Sequence, residues 1–378
     1  MAVRVGIVGV HRGAVLHRAL ALQPGCEVIG VCSARAATAR AYAAAHGVPR
    51  AYAGYDELLA DHDVDAVVVA SPAPYHAAQA IAALRAGKHV LSEVPAAWTL
   101  DECAALMEAV EAARGRAIYL FGENANYSTQ TRTWQALVAR GLIGTIVYAE
   151  SQYVHDLRHM MRDAEGNLTW RAQLPPIHYC THELGPLLTL LAASAGVERD
   201  RCVQAIGLHT GSHVAPDLGA TDLEVGLFRT ASGAVLKVLC AFSIVREPWG
   251  HTRTVYGTHG CLESGRPDRS GSGSGESFAY LDLLPDLEGM MPLPLAQTRR
   301  GAPPQAALAD GHGDSEYWMA RDFVRAVRGE APPAIDVYDA VEYTAPGICA
   351  HLSAQQGGAP VQIPDFRGRC GRNGAADR

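Results

Sequence analysis

Residues 3–13 read VRVGIVGVHRG. A short apolar strand ends at a glycine-bearing turn, and an Ala/Leu-rich helical segment follows. A glycine at such a turn lets the backbone bend tightly and approach a pyrophosphate, which rests on the helix N-terminus. The spacing departs from Gly-x-Gly-x-x-Gly: His11 stands where a second glycine belongs, or the loop is one residue short. Gly6, Gly9, His11, Arg12 and Gly13 are the candidate phosphate-side residues, and the alternative is a Rossmann turn that has lost its nucleotide.

Working outward, strand and helix signals alternate. CEVIGVCS (26–33), DAVVVAS (65–71), KHVLSE (88–93) and RAIYLFGEN (116–124) read as strands. Between them lie helical stretches at 36–46, 57–60 with Asp56 as its cap, and 76–86 closed by Gly87. Thr99 and Glu102 form a capping box, with Gly115 past the last turn of that helix. This alternation predicts an α/β domain with a doubly wound parallel sheet, whose ligands belong at the carboxyl ends of the strands. An acidic residue after the second strand would hold the adenosine ribose. Ser33-Ala34-Arg35 stands there instead. A guanidinium in that place suits a 2′-phosphate, so Ser33 and Arg35 favour NADP over NAD, unless Arg35 is simply a surface residue at a helix start.

The pattern changes after Gln130. A helix is expected over 131–140. Longer apolar segments suited to a large antiparallel sheet follow at 145–156, 202–210, 222–230, 234–245 and 253–264, with helices at 183–195, 316–328 and 337–355. The expected organisation is a dinucleotide-binding Rossmann domain at 1–125, an α+β substrate and oligomerisation domain at 126–366 whose last segments can pack back on the first, and a polar tail at 367–378. Residues 264–277 (SGRPDRSGSGSGES) read as a Gly/Ser-rich loop.

The chain has 378 residues and a net charge of −7, which disfavours a nucleic-acid partner. No apolar run is long enough to span a membrane, and the first ten residues lack the basic region of a signal peptide, so the expectation is cytoplasmic. Nine cysteines, none spaced Cys-x-x-Cys, read as small buried hydrophobes or free thiols.

The markers DAVVVASPAPYH (65–76), GKHVLSEVPAA (87–97), YGTHGCLES (256–264), HGDSEY (312–317) and APVQIPDF (359–366) resemble the Gfo/Idh/MocA family of glucose–fructose oxidoreductase and inositol dehydrogenase. The resemblance implies that Ser71, Pro72 and His76 line the nicotinamide side and that Glu93 faces the cofactor. Members of that family commonly carry Glu-Lys-Pro, whose lysine helps move the substrate hydroxyl proton. Here Val94 replaces it, and the histidine usual near Leu187 is also absent. The segments EVPAA (93–97), FGENANY (121–127), AESQYVHD (149–156), Trp170-Arg171 and YCTHELGPL (179–187) resemble the branch containing NAD-dependent α-N-acetylgalactosaminidases. Those enzymes cleave glycosides without net redox change. By that resemblance Tyr179, His182 and Tyr127 are the candidate catalytic residues, and Asn124 joins the cofactor-binding set.

With no lysine, an imidazole that titrates near neutral pH is the first candidate to handle the hydroxyl proton, which points to His182. Tyr179 and Tyr127 are candidates to relay that proton or hold an alkoxide. Arg171 offers a fork of donors for a substrate oxygen, and His155 and Tyr317 are the other candidate substrate contacts. A metal among His155, Asp156, His159, His178 and His182 is not expected, since their spacing matches no ligand signature. Three functions remain open: an NAD(P)-dependent oxidoreductase of a sugar, cyclitol or similar metabolite; a redox-neutral NAD-dependent glycosidase or lyase; and a cofactor-poor relative with a non-redox or binding role. The apolar strands of the second domain suggest a homodimer or homotetramer.

Overall fold

A computed structural model of the chain describes residues 2–266, 276–295, 303–308 and 312–367. In chain order the first elements are β1 (Val3–Val8), α1 (Val10–Ala21), β2 (Cys26–Cys32), α2 (Ala36–His46), β3 (Arg50–Tyr52), α3 (Tyr55–Ala60), β4 (Ala66–Val69), α4 (His76–Arg85), β5 (His89–Ser92), α5 (Leu100–Ala112) and β6 (Tyr119–Phe121). Then come α6 (Thr129–Val138), β7 (Ile146–Val154), α7 (Thr181–Ala195), β8 (Cys202–His209), β9 (Leu223–Thr230), β10 (Val235–Ala241), β11 (Gly250–Gly257), β12 (Gly260–Ser264) and β13 (Ser277–Leu281). The last are β14 (Met291–Pro292), α8 (Ser315–Val327), α9 (Val337–Gln355) and β15 (Val361–Gln362). The chain forms two compact units, one of residues 1–127, 303–341 and 366–378, the other of 128–302 and 342–365.

In the first unit the described strands run β3-β2-β1-β4-β5-β6, all parallel. This is the doubly wound sheet that the alternation predicts. Strands covered on both faces lack a polar face, and Val67, Val68, Val69, Val90 and Leu91 are accordingly all buried. Chain order reverses at β1, which lies between β2 and β4, so the crevice beyond their carboxyl ends is the switch point where ligands bind in such sheets. The Thr99–Glu102 capping box is formed in both directions. Asp56 does not cap α3. The helix starts two residues earlier, at Tyr55 after Gly54, and Asp56 and Glu57 occupy its first turn, where their charge suits the helix dipole. The returning α8 is held on α1 by Gln23 Nε2, which donates to the Tyr317 carbonyl at 3.0 Å.

In the second unit nine described strands run β14-β13-β12-β11-β7-β10-β9-β8-β15. All described pairs are antiparallel except β7 with β10. Helix α6 begins at Thr129 because Ser128 caps it, its side chain accepting from the Thr131 amide at 3.2 Å, so the start expected at 131 moves two residues earlier. Along β7 and β11 the pleat turns Ser151 and Arg253 to the covered face, and the register sets Ser151 against Arg253 and Tyr153 against His251. Helix α7 buries Leu184, Leu187, Leu188 and Leu191. Most of the loop expected at 264–277 lies outside the described residues, as does nearly all of the tail. No disulfide joins the described cysteines, and all but Cys261 are buried.

Candidate functional site

The turn between β1 and α1 is built for close approach. Gly9 has φ 93°, and a Cβ there would lie 2.3 Å from the Ala70 carbonyl oxygen, so only glycine fits. Gly13 is packed on Ile7, and a Cβ at Gly6 would press on Leu58 at 3.1 Å. His11 is exposed in the first turn of α1. Such a turn, opening onto a helix N-terminus at the switch point, fits a dinucleotide diphosphate. Ser33 is half-buried and Arg35 exposed at the start of α2.

The loop after β4 is braced internally. Ser71 Oγ donates to Gln79 Oε1 at 2.6 Å. The buried His76 ring lies 2.9 Å from the Pro95 carbonyl through Nδ1 and 2.8 Å from the Ser71 carbonyl through Nε2. A neutral imidazole can donate to only one of them, and burial lowers its proton affinity. His76 thus ties the Ser71-Pro72 turn to the Glu93-Val94-Pro95 segment.

Arg12 carries a network that the sequence did not disclose. Its Nε donates to Glu93 Oε1 at 2.8 Å and its Nη2 to Glu316 Oε1 at 3.0 Å. Glu316, in the first turn of α8, also accepts from Asn124 Nδ2 at 2.9 Å and lies 2.7 Å from His312 Nδ1. Burial alone would raise the Glu316 carboxyl. The hydrogen bond from His312 and the charge of Arg12 outweigh it and bring the group down to about 2. The same carboxylates raise Arg12 against the cost of its burial. Arg12, Asn124 and His312 are therefore fixed on one oxygen. Tyr127 is buried three residues after Asn124, and Tyr317 lies half-buried beside Glu316 with its ring edge-on to Trp318.

In the second unit the candidate catalytic and substrate residues form a cluster of rings. Tyr153 stands edge-on to His182 at 5.6 Å and stacks on His251 at 4.3 Å between centroids. Tyr179 and His182 are 6.0 Å apart. His155 stacks on Trp249 at 5.2 Å, and its Nδ1 lies 3.2 Å from the Tyr153 hydroxyl. Burial and nearby cations lower His155 to about 4, so it is neutral at physiological pH. Arg171 lies over the Trp170 ring at 4.6 Å, and that ring stacks near Tyr179. Half-exposed aromatic faces beside hydrogen-bonding tips suit a sugar ring. Asp156 is paired with Arg158, and His178 is buried beside His351, where burial lowers it to about 3. Among the described residues no three His, Cys, Asp or Glu side chains converge as metal ligands.

Pro186 shapes the start of α7. It has no N–H, so the His182 carbonyl loses its partner four residues on. Arg253 Nη2 donates to that carbonyl at 2.9 Å. Glu183, Tyr153, Trp249, His251 and Glu316 escaped the sequence reading. The available signals were a glutamate at a buried position of an apolar helix and the alternation of rings in SQYVHD (151–156) and WGHTR (249–253), which pairing of β7 and β11 brings face to face.

Three comparisons bear on this arrangement. Residues 3–121 match the model of a family described as oxidoreductase, NAD-binding Rossmann fold (GFO_IDH_MocA), and residues 301–370 match the C-terminal domain of glycosyl hydrolase 109. A glycosyl hydrolase family 109 protein of Saccharopolyspora erythraea is 30% identical, covering 97% of this chain and 84% of its own. One from Solibacter usitatus is 29% identical over 96% and 88%. Among solved structures, an oxidoreductase domain protein from Kribbella flavida aligns with TM-score 0.81 at 22% identity, covering 97% of this chain and 100% of that one. Levoglucosan dehydrogenase in complex with NADH and levoglucosan aligns with TM-score 0.80 at 20% identity over the same shares. At these identities the structures share the fold.

Two outcomes follow from the first unit. Gly9→Ala forces a methyl against the Ala70 carbonyl, and NAD binding measured by calorimetry should be lost while the far-UV circular dichroism is kept. Glu316→Gln should cost about 3 kcal/mol in urea unfolding at neutral pH, because it leaves Arg12 half-matched in a buried place. The folded-state pKa of Glu316 lies below its unfolded value, so its contribution is complete above the ordinary carboxylate range and is lost as the pH falls toward about 2. The stability gap between the two proteins should be constant above pH about 5 and shrink below it.

Proposed function

From the chain's membership of glycosyl hydrolase family 109 and the NAD-binding Rossmann fold of its first unit, we propose that it cleaves a glycoside of an amino-sugar type by a redox-neutral route that retains its nucleotide. The observation that carries this reading is the pairing of that fold with a cluster in the second unit in which His182 and Tyr179 stand together, while Val94 replaces the lysine of simple dehydrogenases. Bound NAD would accept and return a hydride, so that a sugar hydroxyl is oxidised, the aglycone is eliminated, water adds and the ketone is reduced back.

The Gly9 turn and the start of α1 receive the diphosphate. Glu93 and Asn124, held by the Arg12 network, set the polar wall of the nicotinamide site together with Ser71 and Pro72. His182 accepts the hydroxyl proton, and Tyr179 holds the oxygen that loses it. Arg171 and His155, in the same unit, orient the sugar. The half-buried Ser33 and the exposed Arg35 leave room for NADP, and with it a net sugar dehydrogenase as the second reading.

Leu208, Leu227, Val235 and Tyr256 lie exposed on one face of the large sheet, opposite the face carrying Phe228, Leu236 and Val238. A homodimer or homotetramer would cover that apolar face. The protein would act in the cytoplasm. No helix among the described residues is long and apolar enough to cross a membrane.

Denatured protein should release stoichiometric NAD, and the native protein should cleave 4-nitrophenyl N-acetyl-α-galactosaminide without added nucleotide. His182→Ala should lower that turnover roughly 10²–10⁴-fold with NAD content unchanged. Net NADPH oxidation with a sugar and no glycoside cleavage would favour the dehydrogenase. Light scattering should give a multiple of the chain mass, and a monomer at micromolar concentration would remove the assembly from this reading.

A further inference from the structure

Glu183 follows His182 in sequence, and its side chain is completely buried. Its Oε1 meets the Nδ1 of His251, and its Oε2 lies against Ser151 Oγ and 3.6 Å from Arg253 Nε. A carboxylate only accepts, so His251 Nδ1 is the donor and Nε2 keeps its lone pair. The His251 ring is a fifth exposed, stacks on Tyr153 and stands edge-on to His182 at 5.9 Å. Arg253 touches both sides of this arrangement, facing Glu183 through Nε and holding the carbonyl that Pro186 frees on His182 through Nη2.

We propose that Glu183 and His251 are the positioning pair of His182: the buried carboxylate fixes the His251 tautomer, and its charge governs whether His182 carries a proton in the working pH range. The inference rests on reading His182 as the residue that handles the substrate proton. Among the described residues, Tyr179 from its own approach turn, Tyr153 from β7, and His251 and Arg253 from β11 face His182. His155 and Arg171 act one layer further out, on Tyr153. Burial raises the Tyr153 hydroxyl and His155 is neutral, so among these groups Glu183 and Arg253 bring charge to His182. Burial would push the Glu183 carboxyl up, yet His251 and Arg253 bring it below its ordinary value, which keeps it charged. Burial lowers His251, which keeps it neutral. Glu183 thus brings a negative charge to bear on His182, and an opposite charge at such range favours the protonated imidazole. A second consequence is chemical. Cleavage by oxidation and elimination moves protons at two substrate positions, and His251 presents a bare nitrogen to the same cluster.

Nitrogen-15 spectra of histidine-labelled, full-length protein as purified test this without any substrate. In the unmodified protein His251 should show Nδ1–H with Nε2 unprotonated at pH 7. The opposite tautomer, or a doubly protonated ring, overturns the assignment. In Glu183→Gln, which removes the charge but keeps a hydrogen-bond acceptor, the His182 titration midpoint should fall by about one unit or more. His251→Phe keeps the ring stack on Tyr153 and leaves the charge unshared, so the midpoint should rise. A His182 midpoint that is the same in all three proteins overturns the proposal. The unmodified-protein spectrum decides alone where a variant does not fold. Nucleotide release tests the functional reading separately, so tightly held NAD with an unmoved His182 midpoint would refute the pair and leave the proposed function standing.

Discussion

A carboxylate taken out of water must find fixed donors or give up its charge, and each unit of this protein is organised locally by one such group. In the first unit it is Glu316, whose one oxygen gathers Arg12, Asn124 and His312. In the second it is Glu183, which gathers His251, Ser151 and Arg253. Both sit in the first turn of a helix, where backbone N–H groups and the helix dipole favour negative charge. Helices α8 and α7 are therefore more than packing elements. Their N-terminal turns are the places where charge can be held at least cost, and the candidate functional residues are arranged around those turns.

The two networks use arginine differently. Arg12 spends its fork on Glu93 and Glu316, so a positive group beside the dinucleotide turn is matched by the protein's own acids. Arg12 thereby fixes Glu93 and Glu316 in place. Arg253 divides its fork between a carboxylate and a backbone carbonyl. That division depends on Pro186, because an ordinary helix would have satisfied the His182 carbonyl internally.

Much of the first unit was legible in the sequence. Continuous apolar strands, the glycine turn and the Thr99–Glu102 box are local signals, and each acts within a few residues of where it is written. The helix starts at α3 and α6 were misplaced because Gly54 and Ser128 compete with nearby capping residues, and a cap is decided by backbone conformation. The candidate site was legible only in part. His182, Tyr179 and Arg171 stood out as residue types in recognisable segments. Glu183 and Glu316 did not, since a lone acid in a helix reads as solvated until the fold buries it. Tyr153 and His251 lie ninety-eight residues apart in number, and only the register of β7 with β11 makes them neighbours.

The proline in α7 has a mechanical meaning. A helix that closes all its own hydrogen bonds can slide or tilt against a sheet as a separate rod. Here one carbonyl is closed from outside, by a side chain rooted in the centre of β11, and the adjoining acid is closed by another residue of that same strand. The first turn of α7 and the strand beneath it are thereby fastened at two points a few ångströms apart. Such a double fastening transmits displacement and resists rotation, so the His182 ring inherits the stiffness of the sheet and not the looser motion of a helix end.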